Sequence, residues 1–168
     1  MKSRLILVAV FISLLNCEKN DNENDNIDLI ITVDKELRQQ LYSEAYDTLN
    51  IESGSYLLGA YLWRDFQPIS PPNGKPMYSI NRLINIDSTE IPNNIDMIKQ
   101  YVINKDSIWI ADYYYEREAP VYIIEKVSVG GPKWGPKIYV DIISQIHDSL
   151  SNKDYYLKIK NVYVGRTD

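Results

Sequence analysis

Aromatic side chains are the first candidates for chemistry in this sequence of 168 residues, which has 14 Tyr and three Trp but only two Phe. Side chains two positions apart lie on the same face of an extended strand. Trp109, Tyr113 and Tyr115 would therefore form one row of rings, with Tyr114 on the opposite face. Such a row predicts either a stacking surface for a sugar ligand or a buried sheet face, because aromatic residues also favour strands.

The other aromatic candidate is Trp134, which lies in the Gly- and Pro-rich segment 130–137. Phosphate-binding loops place Gly-Lys-Ser/Thr at the start of a helix, where free N–H groups face the phosphates. Here Pro136 follows Gly135 and a strand is predicted next, so the pattern is not that of a phosphate loop. We expect a rigid loop between two strands, in which Trp134 either packs over the sheet edge or stacks on a ligand.

Catalytic and metal-binding patterns are not evident in the sequence. His147 is the only His, and catalysis by His needs a nucleophile and an orienting acid close in space. Asp112, Glu116 and Glu118 are near enough in sequence to share a Ca²⁺ ion, but without an EF-hand loop a solvated strand end is expected. We therefore predict no cofactor and no metal site, and the sequence favours a protein without enzymatic activity while leaving that question open. Hydrolysis by two carboxylates stays an open alternative, because the fold brings such pairs together.

The charge of the chain limits its partners. The formal net charge is −5, from 18 basic and 23 acidic residues, and the basic residues are not clustered. Nucleic-acid binding depends on clustered Lys and Arg that neutralise phosphates. Adhesion to anionic lipid by charge alone also needs a basic cluster. The sequence therefore argues against a nucleic-acid partner and against electrostatic membrane adhesion.

Four triplets share the pattern Asp, then Ser or Thr, then an apolar residue or Thr. They lie at 47–49, 87–89, 106–108 and 148–150. The pattern resembles the acceptor sequence for O-glycosylation in some bacterial envelopes. Asp-Ser pairs also begin turns, and three of the four triplets lie where we predict turns. Both interpretations are kept.

The first 16 residues have the pattern of an export signal. Lys2 and Arg4 precede an apolar stretch of eleven residues, which suits a signal peptide and is shorter than the roughly 20 residues of a membrane span. The only Cys, Cys17, comes at the end of this region. The segment Leu-Leu-Asn-Cys at 14–17 resembles the lipobox of bacterial lipoproteins, although Asn16 replaces the usual small residue. The resemblance implies cleavage before Cys17 and a diacylglycerol on its thiol; a signal peptide without lipidation is the alternative.

A polar tether follows the predicted anchor. Residues 18–26 contain only Glu, Lys, Asn and Asp, so they cannot bury apolar surface and are predicted to be disordered. Such acidic tracts also resemble the surface-export signal of some Gram-negative lipoproteins. We predict a signal peptide at 1–16, the lipidated Cys and tether at 17–26, and one globular domain at 27–168. This organisation predicts a cell-envelope lipoprotein that is anchored through Cys17 in the outer membrane and is either periplasmic or surface-exposed.

Hydrophobic periodicity predicts one helix near the start of the domain. Apolar residues recur every four positions from Leu37 to Leu49, which indicates a helix over 35–49 that Asp34 would cap. Residues 91–102 fit either a helix or a strand. The intervening sequence predicts strands and a Pro-rich loop.

The last third of the chain alternates between polar and apolar residues and predicts four strands. They lie at 107–116, 121–129, 137–147 and 154–164. A change of phase near Asn161 predicts a β-bulge in the last of them. Because short turns join these strands, an antiparallel meander is expected. The prediction is an α+β fold, with one N-terminal amphipathic helix followed by a mostly antiparallel sheet; a β-sandwich is the alternative.

These features favour a non-enzymatic envelope lipoprotein that binds or supports a protein partner. The alternative is a glycan-binding module, for which at least two of the rings of Trp63, Trp109, Trp134 and the tyrosines must be exposed and coplanar on one face. An envelope hydrolase is the third hypothesis and requires two carboxylates facing each other in a cleft.

Overall fold

The computed structural model describes residues 29–51 and 54–168. Its elements, in chain order, are β1 (Ile30–Thr32), α1 (Lys35–Glu44), β2 (Ala45–Tyr46), β3 (Leu49–Ile51), β4 (Gly54–Asp65), β5 (Met77–Asn85), β6 (Ile95–Asn104), β7 (Ser107–Asp112), β8 (Tyr115–Arg117), β9 (Ile123–Gly131), β10 (Tyr139–Asp148) and β11 (Lys153–Thr167). The predicted signal peptide, Cys17 and the tether lie outside the described residues. Within the described part of the chain, no helix is long and apolar enough to cross a membrane.

The predicted α+β class is wrong, because strands make up 59% of the described residues. The eleven strands belong to one mixed sheet that curls into a half-barrel, so the two packed sheets of a sandwich are not present either. The helix predicted over 35–49 ends at Glu44. Ala45 and Leu49 are buried, but they reach the core from strands β2 and β3 and not from a helix face. The ambiguous segment 91–102 contributes to strand β6.

The sheet order is β1-β7-β6-β10-β11-β4-β5-β9-β8, with β2 beside β11 and β3 beside β4. The predicted meander is wrong at its centre, because β11, β4 and β5 lie between β9 and β10. The chain turns at residues 113–114, so that β7 pairs with β6 while β8 pairs with β9. This segment connects β7, which lies next to one end of the strand order, with β8 at the other end. The two ends of the curled sheet are therefore joined by two residues of chain. Strands β4 and β11 pair in parallel.

Alternation of side chains decides what fills the half-barrel. Along β4 the even-numbered residues from Tyr56 to Arg64 face inward, and the odd-numbered ones face outward. The main core contains large buried side chains from most strands, among them Tyr56, Leu62, Met77, Leu83, Met97, Trp109, Ile142 and Leu157. Full burial of one such side chain contributes roughly 1.5–3 kcal/mol relative to leaving it exposed.

A polar network crosses this core and joins opposite walls of the half-barrel. The side-chain amide of Asn81 donates to Gln100 Oε1 at 2.7 Å and to Tyr113 Oη at 3.1 Å. The Tyr113 hydroxyl is also hydrogen-bonded to Ser144 Oγ at 2.8 Å. Burial raises the pKa of Tyr113 to about 12. Because these residues come from β5, β6, the turn at 113–114 and β10, the network links the walls that the curl brings together.

Helix α1 packs on the outer face of the sheet against β6, β7 and β10. Asp34 caps the helix as predicted, since its carboxylate accepts a hydrogen bond from the Leu37 N–H at 2.8 Å. Leu41 packs with buried residues of β6, β7 and β10 in a second core on this side: Tyr101, Ile103, Ile108 and Ile143. Among the described residues, no helix lies over the outer face of β4 and β5.

The bulge predicted near Asn161 is confirmed. Between the pairs Val140↔Val162 and Ile142↔Ile159, β11 contains one residue more than β10. Asn161 lies in the left-handed region with φ 57°, and its N–H donates to the Asp141 carboxylate at 2.9 Å. The extra residue changes the phase of β11, so that even-numbered residues face inward after it.

Arg64 holds two loops against the open end of the sheet. Its guanidinium is completely buried and donates to the backbone carbonyls of Lys75 at 3.1 Å, Lys133 at 3.0 Å and Gly135 at 2.7 Å. It also donates to the carbonyl of Asn73. The Pro-rich loop after β4 and the loop after β9 are therefore tied to one inward-facing side chain of β4.

Candidate functional site

The predicted row of Trp109, Tyr113 and Tyr115 does not lie on one face. Trp109 is 1% exposed and packs against the backbone of Gly131, where a Cβ would lie only 2.5 Å from the indole ring. Tyr113 belongs to the polar network inside the half-barrel. Tyr115 follows the turn, pairs with Val127 and is half exposed on the outer face. The change of face at residues 113–114 separates the third ring from the first two.

Trp134 lies in the loop between β9 and β10 and is partly exposed. Its side chain packs against the main core, near the carbonyls of Lys133 and Gly135 that Arg64 binds. The structure therefore does not bring Trp134 together with Tyr115 in one row of rings. Ligand binding by Trp109, Tyr113, Tyr115 and Trp134 stays a prediction.

Five other rings lie on the outer face of the sheet that the helix leaves uncovered. We call them the aromatic strip: Tyr139, Tyr163, Tyr61, Trp63 and Tyr78. Tyr139 and Tyr163 are cross-strand neighbours whose ring centroids are 5.4 Å apart. The Trp63 ring is stacked between Tyr61 at 5.3 Å and Tyr78 at 5.2 Å, with interplanar angles of 28° and 13°. The strip extends over four neighbouring strands, β10, β11, β4 and β5.

Strand alternation places these rings outward. Leu62 and Val164 face the core as a cross-strand pair, so Tyr61 and Tyr163, each one residue earlier, face solvent on neighbouring strands. Trp63 pairs with Tyr78 across β4 and β5. Tyr61 is 54% exposed, Tyr163 46% and Tyr139 64%, while Trp63 and Tyr78 are partly exposed.

Two glycines shape the surface around Tyr61. Gly165 pairs with Trp63, and a Cβ there would lie 3.7 Å from the Tyr61 hydroxyl. Gly59 leaves a hollow of about 90 Å³ beside Tyr61, with Ile80 and Arg82 among its lining residues. Side chains at these two positions would fill space next to the rings. The absence of side chains at these two glycines thus leaves space beside the Tyr61 ring.

Ion pairs lie beside β4 and β5. Asp65, at the end of β4, pairs with Lys75 at 2.8 Å, and hydrogen bonds from Lys75 and from the Gln67 N–H lower the pKa of Asp65 to about 2. Arg82 forms an ion pair with Glu125, which also binds Arg117 at 3.0 Å. The Lys75 and Arg82 side chains beside β4 and β5 therefore already have partners of opposite charge.

A cleft of about 380 Å³ near the start of β6 is lined by Glu90, Asp96 and Glu116 among others. Lys126 contacts Asp96 at 2.6 Å and Glu116 at 3.8 Å, so an ammonium group occupies the space between these two carboxylates. A glycosidase pair instead faces a space open to the sugar and to water. The cleft thus contains the acids that a hydrolase needs, but in the arrangement of an ion-pair network.

The remaining sequence candidates occupy separate places. His147 Nδ1 lies 2.7 Å from Asp154 Oδ1 across the β10–β11 hairpin. Asp112 pairs with Lys99 at 3.3 Å, whereas Glu116 points to Lys126. Across residues 29–51 and 54–168, no group of three or more His, Cys, Asp or Glu side chains is arranged to hold a metal ion.

The sequence offered only part of the signal for the aromatic strip. Tyr61 and Trp63 are two positions apart in a predicted strand, which puts them on one face. Their meeting with Tyr78, Tyr139 and Tyr163 depends on which strands become neighbours, and that is a property of the folded sheet.

No family model, no curated protein and no solved structure matches this chain significantly. Function must therefore be inferred from the side chains themselves.

Proposed function

We propose that this chain is an exported, lipid-anchored protein of the cell envelope that binds a partner through the aromatic strip and performs no catalysis. The observation that carries this proposal is the strip itself. Five aromatic side chains share a part of the outer face outside the contacts of α1, which packs on β6, β7 and the Ile143 region of β10. Tyr and Trp are enriched where proteins bind their partners, and contiguous exposed apolar patches mark such sites.

The amino-terminal sequence supports the proposed location. The apolar stretch before Cys17 suits a signal peptide, and the Leu-Leu-Asn-Cys segment resembles a lipobox. A diacylglycerol adds two acyl chains, which hold a protein on a membrane firmly where one chain holds it only marginally. The polar residues 18–26 would then separate the domain from the bilayer.

The arrangement of titratable side chains supports binding over catalysis. Among the described residues, Asp96 and Glu116 of the cleft near the start of β6 contact Lys126, and His147 is hydrogen-bonded to Asp154. Catalysis by a triad or by a carboxylate pair requires an orienting group and a reacting group around an open position for the substrate. The aromatic strip, by contrast, is open to solvent.

Native co-purification from solubilised envelopes tests this function. The tagged full chain serves as bait, and Cys17→Ala removes the acylation site. We expect membrane-fraction recovery to be lost in Cys17→Ala, and recovery of the bound partner to fall in Tyr61→Ala and Tyr139→Ala. Tyr46→Ala is the matched control, because Tyr46 is 55% exposed and lies on β2, outside the strip. Recovery that is equal in all four variants would contradict both the anchor and the binding surface.

A further inference from the structure

We infer that the aromatic strip binds an uncharged polysaccharide that lies across strands β10, β11, β4 and β5. This inference rests on the proposed binding function and adds the chemical class of the ligand. Three features of the strip carry it: the type of side chain, the spread of its exposed rings over four strands and the state of the charges beside β4 and β5.

The side chains of the strip are aromatic throughout and four of the five are tyrosines. A tyrosine ring has an apolar face and a hydroxyl that donates and accepts hydrogen bonds. A sugar ring has the matching combination, since its C–H groups make one or both faces apolar while its hydroxyls lie around the edge. Tyr61, Tyr139 and Tyr163 are the most exposed rings of the strip, and each can therefore contact a sugar by its open ring surface and bind a hydroxyl at its rim. Trp63 is stacked between Tyr61 and Tyr78 and supports these rings from the side.

The extent of the strip suits a long, repeating ligand. Its exposed rings lie on four neighbouring strands, β10, β11, β4 and β5, and neighbouring strands are separated by about 4.8 Å. A polymer that crosses these strands can contact Tyr139 and Tyr163 at one end and Tyr61 at the other. Protein anchors usually fill well-formed pockets at the centre of an interface, whereas the exposed rings of the strip are spread over four strands.

The charges around the strip favour an uncharged ligand. Asp65 pairs with Lys75 at 2.8 Å, and Arg82 pairs with Glu125. A charged polysaccharide would compete with these existing pairs and would also meet a chain whose formal net charge is −5. Neutral sugar hydroxyls can instead accept from Lys75 and Arg82 without breaking the ion pairs.

Affinity electrophoresis of the full chain tests the inference, with laminarin, xylan, mannan or soluble starch in the gel and alginate as the anionic comparison. A zwitterionic detergent without a sugar headgroup keeps the acylated protein in solution. We expect at least one neutral polymer to retard the protein and alginate to have no effect. Tyr61→Ala and Tyr139→Ala should each weaken the retardation about tenfold, and Tyr46→Ala should not change it. Tyr139 is 64% exposed, so its replacement leaves the core intact.

Intrinsic fluorescence gives a second readout. Trp63 lies in the strip, whereas Trp109 is buried, so addition of the binding polymer should change an emission component that Trp63→Phe removes. Failure of every neutral polymer, or retardation that the strip variants do not alter, would overturn the polysaccharide assignment. If a protein then co-purifies with the wild-type chain but not with the strip variants, the proposed binding function stands and only the polysaccharide assignment fails. If neither assay depends on the strip, both proposals fail.

Discussion

Replacement of Arg64 by Met is expected to lower the free energy of unfolding by about 3–5 kcal/mol. Met has a similar length and an apolar side chain, so it fills much of the same space without any donor. The four carbonyl oxygens that Arg64 binds belong to Asn73, Lys75, Lys133 and Gly135. Two loops would lose their shared attachment to β4.

The magnitude follows from the hydrogen bonds. A hydrogen bond to a charged donor contributes about 1.5–3 kcal/mol, and a buried acceptor left without a donor costs about 1–3 kcal/mol. Simple addition over four carbonyls would overestimate the effect, because the loops can move and admit water. The buried guanidinium also has a desolvation cost, which lowers the pKa of Arg64 from its ordinary value and which Met removes. The expected net loss is therefore that of roughly two of the four bonds.

Urea denaturation followed by circular dichroism measures this loss. Arg64→Lys should recover part of it, because an ammonium can still bind one or two of the carbonyls. Arg166→Met is the matched control: Arg166 is the cross-strand neighbour of Arg64, is exposed, and pairs with Asp168 at 2.5 Å. That control should lose less than about 1 kcal/mol. A loss below about 1 kcal/mol for Arg64→Met would refute the proposed role of the hydrogen bonds from Arg64 to the four carbonyls.

Two further predictions concern stability. Gly131→Ala should destabilise the fold by about 1–3 kcal/mol, because the new methyl group meets the buried Trp109 ring at 2.5 Å, whereas Gly165→Ala, with its nearest contact at 3.5 Å, should be close to neutral in the same denaturation assay. Hydrogen bonds, chiefly from Ser151, lower the pKa of Asp148 from 3.8 to about 2, so its stabilising contribution is present above the ordinary pKa and is lost as the pH falls through about 2. Asp148→Asn should therefore flatten the decline of the thermal midpoint between about pH 4 and pH 2, and an unchanged acid profile would contradict this origin of the decline.

Local features of the fold could be predicted from the sequence because neighbouring residues control them. Asp34 caps α1 through a hydrogen bond three residues along the chain. The phase change at Asn161 predicted the bulge, since alternation within one strand reports which face is buried. Strands in the last third were also located by this alternation.

The helix shows where local signals fail. Apolar spacing from Leu37 to Leu49 suits a helix, yet the chain leaves helical geometry after Glu44. Ala45 and Leu49 are buried all the same, because they lie on β2 and β3, which pair with β11 and β4. Tertiary pairing thus overrides a helical pattern, because backbone hydrogen bonds to an existing sheet satisfy the same groups and bury the same side chains.

The sequence by itself determined the secondary tendency of most segments, the export-like leader with Cys17 and the alternation that divides each strand into two faces. Only the tertiary structure decided that β9 and β10 are separated by three strands, that Trp109 is buried, and that Tyr61, Trp63 and Tyr78 meet Tyr139 and Tyr163 on one face. The physical reason is that alternation specifies a face but not a neighbour. Strand pairing depends on hydrogen bonds and packing between distant segments, and these are settled together when the sheet closes around its core.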